Sequence, residues 1–538
     1  MKRRDFLECA ILCGAGLLGL GTAALTANGS EGAMEKASPP LGCDMNSKTD
    51  PRDAPWTHFG WQKHGVVRLA GSEASHTLDA QLYFIGGEWE YNNSQMPYLV
   101  HMPEHNRLML AASVDKPVIK AMAIFSDDFG QTWTTPAWMH TDATGTPDVG
   151  AATQLTYLGD GKLIIGLEHR YWFSNDCGQT WSDYAPVPPG SEGKQMYQWD
   201  PMLVDRDSAT GRVVRLVETR YKENGRFDTP EYFSQGCVRF SVDEGKTWSK
   251  EINVPQWKGV NEIVLCRATN GDIVAACRTD VPAQFLGLDN DQFGGLATSV
   301  SKDNGYTWSA LNRVYSWGRH HPHLVTMPGG DVVMTFVVRN GYIAGKDGLC
   351  RFGIEAVVSQ DNGETWDLDH KYILASNNSP MKGDRENWGS PQSTSSVILP
   401  DGSLLTAFGT GVRNVPAQTL WKMDVVLVKW RLSNEPVSSE DTIRKAPYES
   451  DLRNTFDLDS IRGTLGAALS TRMSCLASCG GYNRPIAREF GRLSPVRRSE
   501  ANPRRCPRCR FQERDHHRLC RVLLRDVEQV IDQRQEKH

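Results

Sequence analysis

The chain repeats one short motif five times, and this repetition limits the possible folds more than any other feature. Each copy has the pattern S-x-D-x-G-x-T-W, here called an Asp frame, and the copies occupy residues 126–133, 174–181, 241–248, 301–308 and 359–366. The Asp can bond its own backbone two residues further on, and the Gly supplies a positive φ, so each frame predicts a tight hairpin turn. The Trp offers a large plate for packing between neighbouring units.

The frames start 48 to 67 residues apart, a period typical of four-stranded propeller blades. Two apolar stretches with a turn between them precede each frame, and a sixth unit without a frame follows at 390–432. Residues 66–69 or 82–85 are the candidates for its missing outer strand, which would close the ring without an exposed edge. We therefore predict an all-β fold, a six-bladed β-propeller over residues 56–432, with the Asp frames on the face opposite the binding pocket.

The two ends differ in composition from the repeats. Lys2, Arg3 and Arg4 precede an apolar, glycine-rich run, so residues 1–30 resemble a twin-arginine signal peptide for export, and residues 31–55 have the composition of a spacer. An uncleaved membrane anchor is the alternative, but the run is short and rich in glycine. We expect no stable membrane span after cleavage and a periplasmic or secreted protein.

Residues 433–538 form an arginine-rich tail for which we predict little order. The tail contains Cys506, Cys509, His516, His517 and Cys520, but their spacing matches no common zinc finger, so a zinc site is the less favoured interpretation. The other cysteines in the repeats are scattered singly and indicate no disulfide framework. A net charge of −5 gives no reason to expect a nucleic-acid partner.

Aligning the units places charged residues at one end of the predicted sheets. The starts of first strands there include Gln95, Asp200, Glu262 and His321, and the ends of second strands include Asp115, Arg278, Arg339 and Arg413. Carboxylates and guanidinium groups around one opening are typical of a site for an anionic ligand. For any single residue, a solvated charge at the rim is an equally good interpretation.

The Asp frames, together with the segment that Glu262 opens and Arg278 closes, resemble the sialidase (neuraminidase) superfamily of BNR-repeat, or Asp-box, proteins over about residues 90–432. In that superfamily the equivalent Glu activates a tyrosine nucleophile, and the Arg is one of three that bind the substrate carboxylate. The resemblance implies a hydrolase of the exo-α-sialidase type that removes a terminal sugar, sialic acid or another, from a glycan or glycoconjugate, with no cofactor and no metal.

Other superfamily residues are only partly matched. Arg351 fits the second arginine of the triad, and Asp115 is the nearest match to the acid/base Asp. Gln95 stands where the first arginine is expected, and residues 389–396 lack the tyrosine nucleophile. The candidate site residues are catalytic Glu262 and Asp115, and substrate-binding Arg278, Arg351, Gln95, Asp200, His321, Arg339 and Arg413.

Two other functions remain open. The missing Arg and Tyr favour a non-catalytic propeller that binds carbohydrate or protein. The histidine-rich segment 319–323, which contains His321, favours a metal-dependent enzyme or a lyase. Histidines that only pack within a strand are the preferred explanation of that segment.

Overall fold

The computed structural model describes residues 58–70, 74–85, 95–114, 120–140, 150–167, 170–191, 193–226, 229–286, 293–339, 350–379, 392–409, 413–415, 420–422 and 425–433. The signal segment, the spacer, the cysteine- and histidine-containing tail and Asp115 lie outside these residues. The described part is all-β: its helical elements are two single 3-10 turns, Pro103–His105 and Ala283–Phe285. Within the same part, no helix combines the length and the apolar character needed to cross a membrane.

The described part of the chain begins with an antiparallel hairpin, which four antiparallel sheets of four strands each follow. The hairpin consists of β1 (His58–Ala70) and β2 (Ala74–Ile85). The first sheet contains β3 (Gln95–Met102), β4 (Arg107–Val114), β5 (Lys120–Ser126) and β6 (Ala137–Trp138). The second contains β7 (Ala152–Gly159), β8 (Lys162–Leu167), β9 (Arg170–Ser174) and β10 (Ser182–Pro186). The third contains β11 (Leu203–Arg206), β12 (Val213–Asn224), β13 (Phe233–Ser241) and β14 (Ile252–Lys258), and the fourth contains β15 (Val260–Arg267), β16 (Ile273–Thr279), β17 (Gly295–Ser301) and β18 (Asn312–Tyr315).

The remaining strands form one large sheet and a small ribbon. They are β19 (Arg319–Thr326), β20 (Val332–Val338), β21 (Cys350–Ser359), β22 (Asp367–Ser379), β23 (Thr394–Ile398), β24 (Leu404–Gly409), β25 (Arg413–Val415), β26 (Leu420–Lys422) and β27 (Val425–Trp430). The ribbon pairs β25 with β26, and the large sheet has nine strands in the order β19-β20-β21-β22-β1-β2-β27-β24-β23. The initial hairpin therefore joins two meanders.

The pairing of the hairpin decides between the two strands that the sequence offered for closure. Residues 81–85 of β2 pair with residues 425–429 of β27. Val67 and Arg68 of β1 pair instead with Ile373 and Tyr372 of β22. The segment at 82–85 is thus the outer strand of the last unit, whereas the segment at 66–69 extends the unit before it.

Apolar cores fill the spaces between successive sheets. Leu163 and Met109 share one core across the first two sheets, and Val274 and Val332 share another between β16 and β20. The last core joins Leu405 of β24 to Leu110 of β4, which returns the packing to the first sheet. The sheets therefore have a propeller-like arrangement.

All five Asp frames share two backbone hydrogen bonds. The Ser hydroxyl accepts a bond from the Gly N–H at 2.7–2.9 Å, and the Asp carboxylate accepts one from the Thr N–H at 2.8–2.9 Å. The Asp therefore bonds the backbone four residues further on, not two as the sequence suggested. At Asp303, hydrogen bonds from Thr307 lower the pKa of the carboxyl. Both Asn304 and Gly305 have positive φ, so the turn needs two consecutive left-handed residues.

The frame tryptophans pack as the sequence predicts. Trp308 belongs to a core with Val238 and Val254 of the preceding sheet, and its ring centroid lies 4.5 Å from that of Trp257. Trp181 likewise packs among residues of β3 and β4. Each of these plates therefore stabilises the contact between two units.

The register of the strands places the frames away from the charged strand ends. Ser301, which opens a frame, pairs with Ile273, and Ile273 pairs with Arg267 at the end of β15. Arg278 pairs with Asn261 at the other end of the same strands. We call that other end, which carries Glu262, Arg278 and His321, the site end.

Candidate functional site

Glu262 lies in an irregular part of β15. Its φ is +47°, and the register of β15 against β16 shifts between Asn261 and Ile263, which marks a β-bulge. A non-glycine residue at positive φ is uncommon, and bulges turn a side chain away from the regular alternation of a strand. The carboxylate of Glu262 is 1% exposed, so the bulge directs an acidic group into the interior.

Two other first strands have the same distortion at the equivalent place. Met96 in β3 has a φ of +48° and His321 in β19 has a φ of +56°, each at a register shift. The chemistry at the three positions differs: a thioether, a carboxylate and an imidazole. The same backbone distortion therefore recurs in three first strands, and the chemical type of the side chain at the distorted position differs among them.

The Glu262 carboxylate contacts two cationic or potentially cationic groups. Its Oε1 accepts a hydrogen bond from Nη1 of Arg278 at 3.2 Å, and its Oε2 lies 2.8 Å from Nδ1 of His321. Arg278 reaches it along β16, whereas His321 comes from the next sheet. All three residues are buried, so their interaction is weakly screened by water.

The neighbouring residues of the histidine-rich segment divide into two groups. Arg319 pairs with Glu355 at 3.3 Å, and Nδ1 of His323 accepts a hydrogen bond from the Ser396 N–H. These two have the structural roles that the sequence analysis preferred for the segment. His320 does not: together with Glu262 and His321 it places a ligand atom within 4.8 Å of the other two, a set suited to a metal ion.

One acidic residue near this cluster escaped the sequence analysis. Asp280 follows β16 and accepts hydrogen bonds from the Ser234 N–H at 2.6 Å and from Nδ2 of Asn261 at 2.9 Å. Burial raises the pKa of its carboxyl, against the opposing effects of those hydrogen bonds and of the Arg278 charge. A clue was available in the sequence, since Asp280 stands only two residues after Arg278 at a strand end.

Other predicted substrate-binding residues are placed less favourably. Arg339 is 2% exposed and donates to the carbonyl oxygen and Oε1 of Gln392 at 3.0 and 3.2 Å, which ties two units together. Asp200 is also buried. The pKa of the nearby Cys277 thiol is raised to about 12, mainly by burial of the thiol and to a smaller extent by the Asp200 charge. Asp200 therefore lies near the residue that precedes Arg278.

For three predicted residues the structure describes the backbone alone. Gln95 opens β3 opposite Ser113, and Arg351 is the second residue of β21. Arg413 was expected at the end of the second strand of the last unit, but that strand ends at Gly409 and Arg413 begins the separate ribbon of β25. The ribbon corrects that placement, since pairing with β26 takes the chain out of the large sheet.

A second buried carboxylate lies in the third sheet. Glu218 in β12 is 0% exposed and bonds Tyr171, Arg220 and Arg239, the Nη2 of Arg220 at 2.8 Å. The Tyr171 hydroxyl in turn accepts bonds from both arginines, at 2.8 and 2.7 Å. Both oxygens of the Glu218 carboxylate are therefore hydrogen-bonded, as expected of a structural element.

Comparison with known proteins gives a consistent family. Residues 171–410 match the family described as a BNR repeat-like domain. A sialidase of Paraclostridium sordellii is 25% identical over 259 residues, which is 43% of this chain and 60% of that protein. A sialidase of Clostridium perfringens is 25% identical over 236 residues, 39% of this chain and 58% of that protein. The chain thus spans about 60% of the length of the curated relatives it matches.

Solved structures that match part of this chain include a protein of unknown function from Dyadobacter fermentans, with 16% identity and a TM-score of 0.45, covering 69% of this chain and all of that one. A Trypanosoma rangeli sialidase in complex with sialic acid has 13% identity and a TM-score of 0.40, covering 70% and 59%. The repeated Asp frames, the matched BNR repeat-like domain and the two curated sialidases agree with one another. These findings support a relationship of this chain to the sialidase and BNR-repeat superfamily.

Proposed function

We propose that this protein is a sialidase-like glycoside hydrolase that removes a terminal sugar, with an anionic sugar such as sialic acid as the leading substrate. The observation that carries the proposal is the buried Glu262 carboxylate, aimed by a strained bulge and held between Arg278 and His321. Strained backbone and buried, paired charges tend to occur together at functional sites. The superfamily relationship favours glycan chemistry at this place.

In the proposed reaction, water adds to the anomeric carbon of the sugar and a proton passes to the oxygen of the departing group. Glu262 is the base that takes the proton of the nucleophile, either directly or through His321, 2.8 Å away. Arg278 is the arginine proposed to bind a substrate carboxylate, with Arg351 as the second, because a planar guanidinium can donate two parallel hydrogen bonds to a carboxylate. Asp115 is the acid by resemblance, and Asp280, whose pKa is raised, is the alternative acid.

A non-catalytic carbohydrate-binding propeller is the second candidate, and one structural observation favours it. The bulge in β3 aims Met96, a buried apolar side chain, where the other two distorted strands aim a carboxylate and an imidazole. Next to it stands Gln95, where the superfamily has an arginine. A pocket that has lost one guanidinium binds a carboxylate more weakly by about 2–5 kcal/mol, which suits recognition of a different sugar.

The test is turnover by the Glu262→Gln variant. Gln keeps the shape of the side chain and removes the basic oxygen, so turnover is expected to fall by about 10²–10⁴-fold with folding retained. The wild-type protein is first screened on aryl glycosides, sialylated glycans and polysaccharides. Glu244→Gln is the matched control, because Glu244 lies in an Asp frame and pairs with Lys162 at the surface. Glycan binding without turnover of any substrate would contradict the hydrolase proposal and support the non-catalytic carbohydrate-binding propeller.

For the architecture, we propose that the nine-stranded sheet is two blades joined through β1, so that the ring has six blades. The meander β19–β22 and the set β23, β24, β27 and β2 each have the four strands of one blade. An experimental structure with another number of blades overturns this count.

For localisation, we propose export through the twin-arginine route to the periplasm or the medium, on the basis of Arg3 and Arg4. Replacing both by lysine is expected to retain the precursor in the cytoplasm, and unchanged export rejects this route.

A further inference from the structure

Three buried side chains at the site end form a set of metal ligands that the hydrolase proposal does not use as such. Glu262, His320 and His321 are 1%, 0% and 2% exposed, and one ligand atom from each lies within 4.8 Å of the other two. Two imidazoles and one carboxylate are a common set of protein ligands for a catalytic zinc ion. Glu262 lies on β15 and the two histidines lie on β19, and these strands belong to two neighbouring sheets.

The backbone explains how two consecutive histidines reach the same point. Neighbouring residues of a regular strand point to opposite faces. Here the register of β19 against β20 shifts between His320 and His323, and His321 has a φ of +56°, so the alternation is interrupted. The bulge in β15 directs Glu262 toward the same place. Two independent distortions therefore converge on one cluster.

We propose that Glu262, His320 and His321 bind a divalent transition-metal ion of the zinc class, with a further coordination position left open. Ligand atoms on one such ion are at most about 4.2 Å apart, because each bond is about 2.0–2.1 Å long. All ligand atoms of the cluster lie within 4.8 Å of one another, and tetrahedral binding brings them to separations of about 3.3–3.4 Å. Oε2 of Glu262 and Nδ1 of His321, 2.8 Å apart, move further apart on binding. We expect rotations of the side chains to make both changes.

The residues around the cluster support this assignment. Arg278 donates to Oε1 of Glu262, which orients the carboxylate and directs Oε2 toward the histidines. Carboxylates that bind metals are commonly held by such a second hydrogen bond. Gly294 leaves room for two of the side chains at the cluster. A Cβ at this position would lie 2.7 Å from Nε of Arg278 and 3.3 Å from Cδ2 of His320. A larger residue would displace both groups from their places at the cluster.

This inference does not depend on the proposed hydrolase, and it gives Glu262 and His321 a different role, because a bound ion would occupy the atoms that the hydrolase proposal uses as base. Its readout is the metal itself, measured without substrate, so a protein that binds metal but cleaves no glycan supports this proposal while failing the other. The tail needs a control because Cys506 and Cys509 are also potential zinc ligands.

The experiment measures the metal content of the full chain by elemental mass spectrometry after purification without chelators, and the absorption spectrum after replacement of the metal by Co²⁺. We expect about one tightly bound ion per chain at the cluster, with a Co²⁺ spectrum of nitrogen and oxygen ligands. His320→Ala is expected to remove this ion and spectrum. His370→Ala is the matched control, because His370 is exposed and contacts Asp367. A Cys506→Ser, Cys509→Ser double variant is expected to keep the cluster spectrum.

A milder variant keeps the proposal testable if His320→Ala fails to fold. Arg278→Lys retains a positive charge but loses the guanidinium geometry, and metal affinity is expected to fall by about 10–100-fold. The proposal is overturned if the wild-type chain binds no ion in the presence of Zn²⁺ or Co²⁺. It is also overturned if folded His320→Ala keeps the ion and its spectrum, or if the Co²⁺ spectrum is that of thiolate ligands lost with the cysteines.

Discussion

Two buried glutamates, Glu218 and Glu262, have similar partners and different surroundings. Each contacts arginine and is essentially inaccessible to solvent. Glu218 extends from a regular stretch of β12 and is saturated by two arginines and a tyrosine hydroxyl. Glu262 leaves a strained bulge and meets one arginine and a histidine.

The difference teaches how to separate a structural ion pair from a candidate reactive one. Burial and pairing are common to both, so neither identifies a site. The backbone does distinguish them, because a strained residue persists only where the surrounding fold requires it. On this criterion we propose Glu262 as the functional group and Glu218 as part of the framework.

The largest expected effect on stability is at Glu218. Glu218→Gln leaves two buried guanidinium groups without their carboxylate, so the free energy of unfolding is expected to fall by about 3–5 kcal/mol. Glu262→Gln removes one 3.2 Å hydrogen bond and disrupts no larger network. The free energy of unfolding is therefore expected to fall by at most about 2 kcal/mol. Denaturant unfolding measures both. Equal losses at the two positions would break the comparison, since both residues would then be structural.

The pH dependence of stability sharpens the same comparison. Despite the opposing effect of burial, Arg220, Arg239 and Tyr171 lower the pKa of Glu218 below its ordinary value of 4.5. A carboxylate with a lowered folded pKa contributes stability above the unfolded pKa and loses it as the pH falls through the folded value. The stability difference between the wild type and Glu218→Gln is therefore expected to be full above pH 4.5 and to shrink below it. A difference that stays constant down to the acid unfolding transition contradicts the lowered pKa.

The smallest effect concerns the Asp frames, at the opposite end of the sheets from Glu262. Asp303→Ala removes two bonds to Thr307 and is expected to cost about 1–2 kcal/mol in unfolding free energy, without changing turnover or metal content. Lys302→Ala is the neighbouring control, because Lys302 forms an exposed ion pair with Glu364. A large loss of turnover on changing Asp303 would mean that the two ends of the sheets are coupled.

The repeated parts of this fold are predictable from sequence because their causes are local. Ser, Asp, Gly, Thr and Trp act within eight residues, so the turns, the packing of Trp308 and the end of the sheet on which the frames lie follow from the pattern. The meeting of Glu262 with Arg278 also follows, since both flank one hairpin. The approach of His320 and His321 to Glu262 does not follow from the pattern, because it depends on bulges in two sheets and no residue type indicates those bulges. Asp280 was missed for a similar reason, since its partner Ser234 comes from the preceding sheet. The contact of Glu218 with Tyr171 likewise joins two sheets.

The pairing of β2 with β27 has a consequence for the order of folding. Residues 81–85 are among the first of the described chain to be synthesised, yet their partners at 425–429 are among the last. Contacts between such distant segments are slow to form, because the entropy of closing the loop is lost before the contacts compensate for it. One edge of β2 is therefore expected to stay unpaired until almost all of the described chain has been synthesised. A circular permutant that begins at β3 and carries β1 and β2 after β27 would remove this delay.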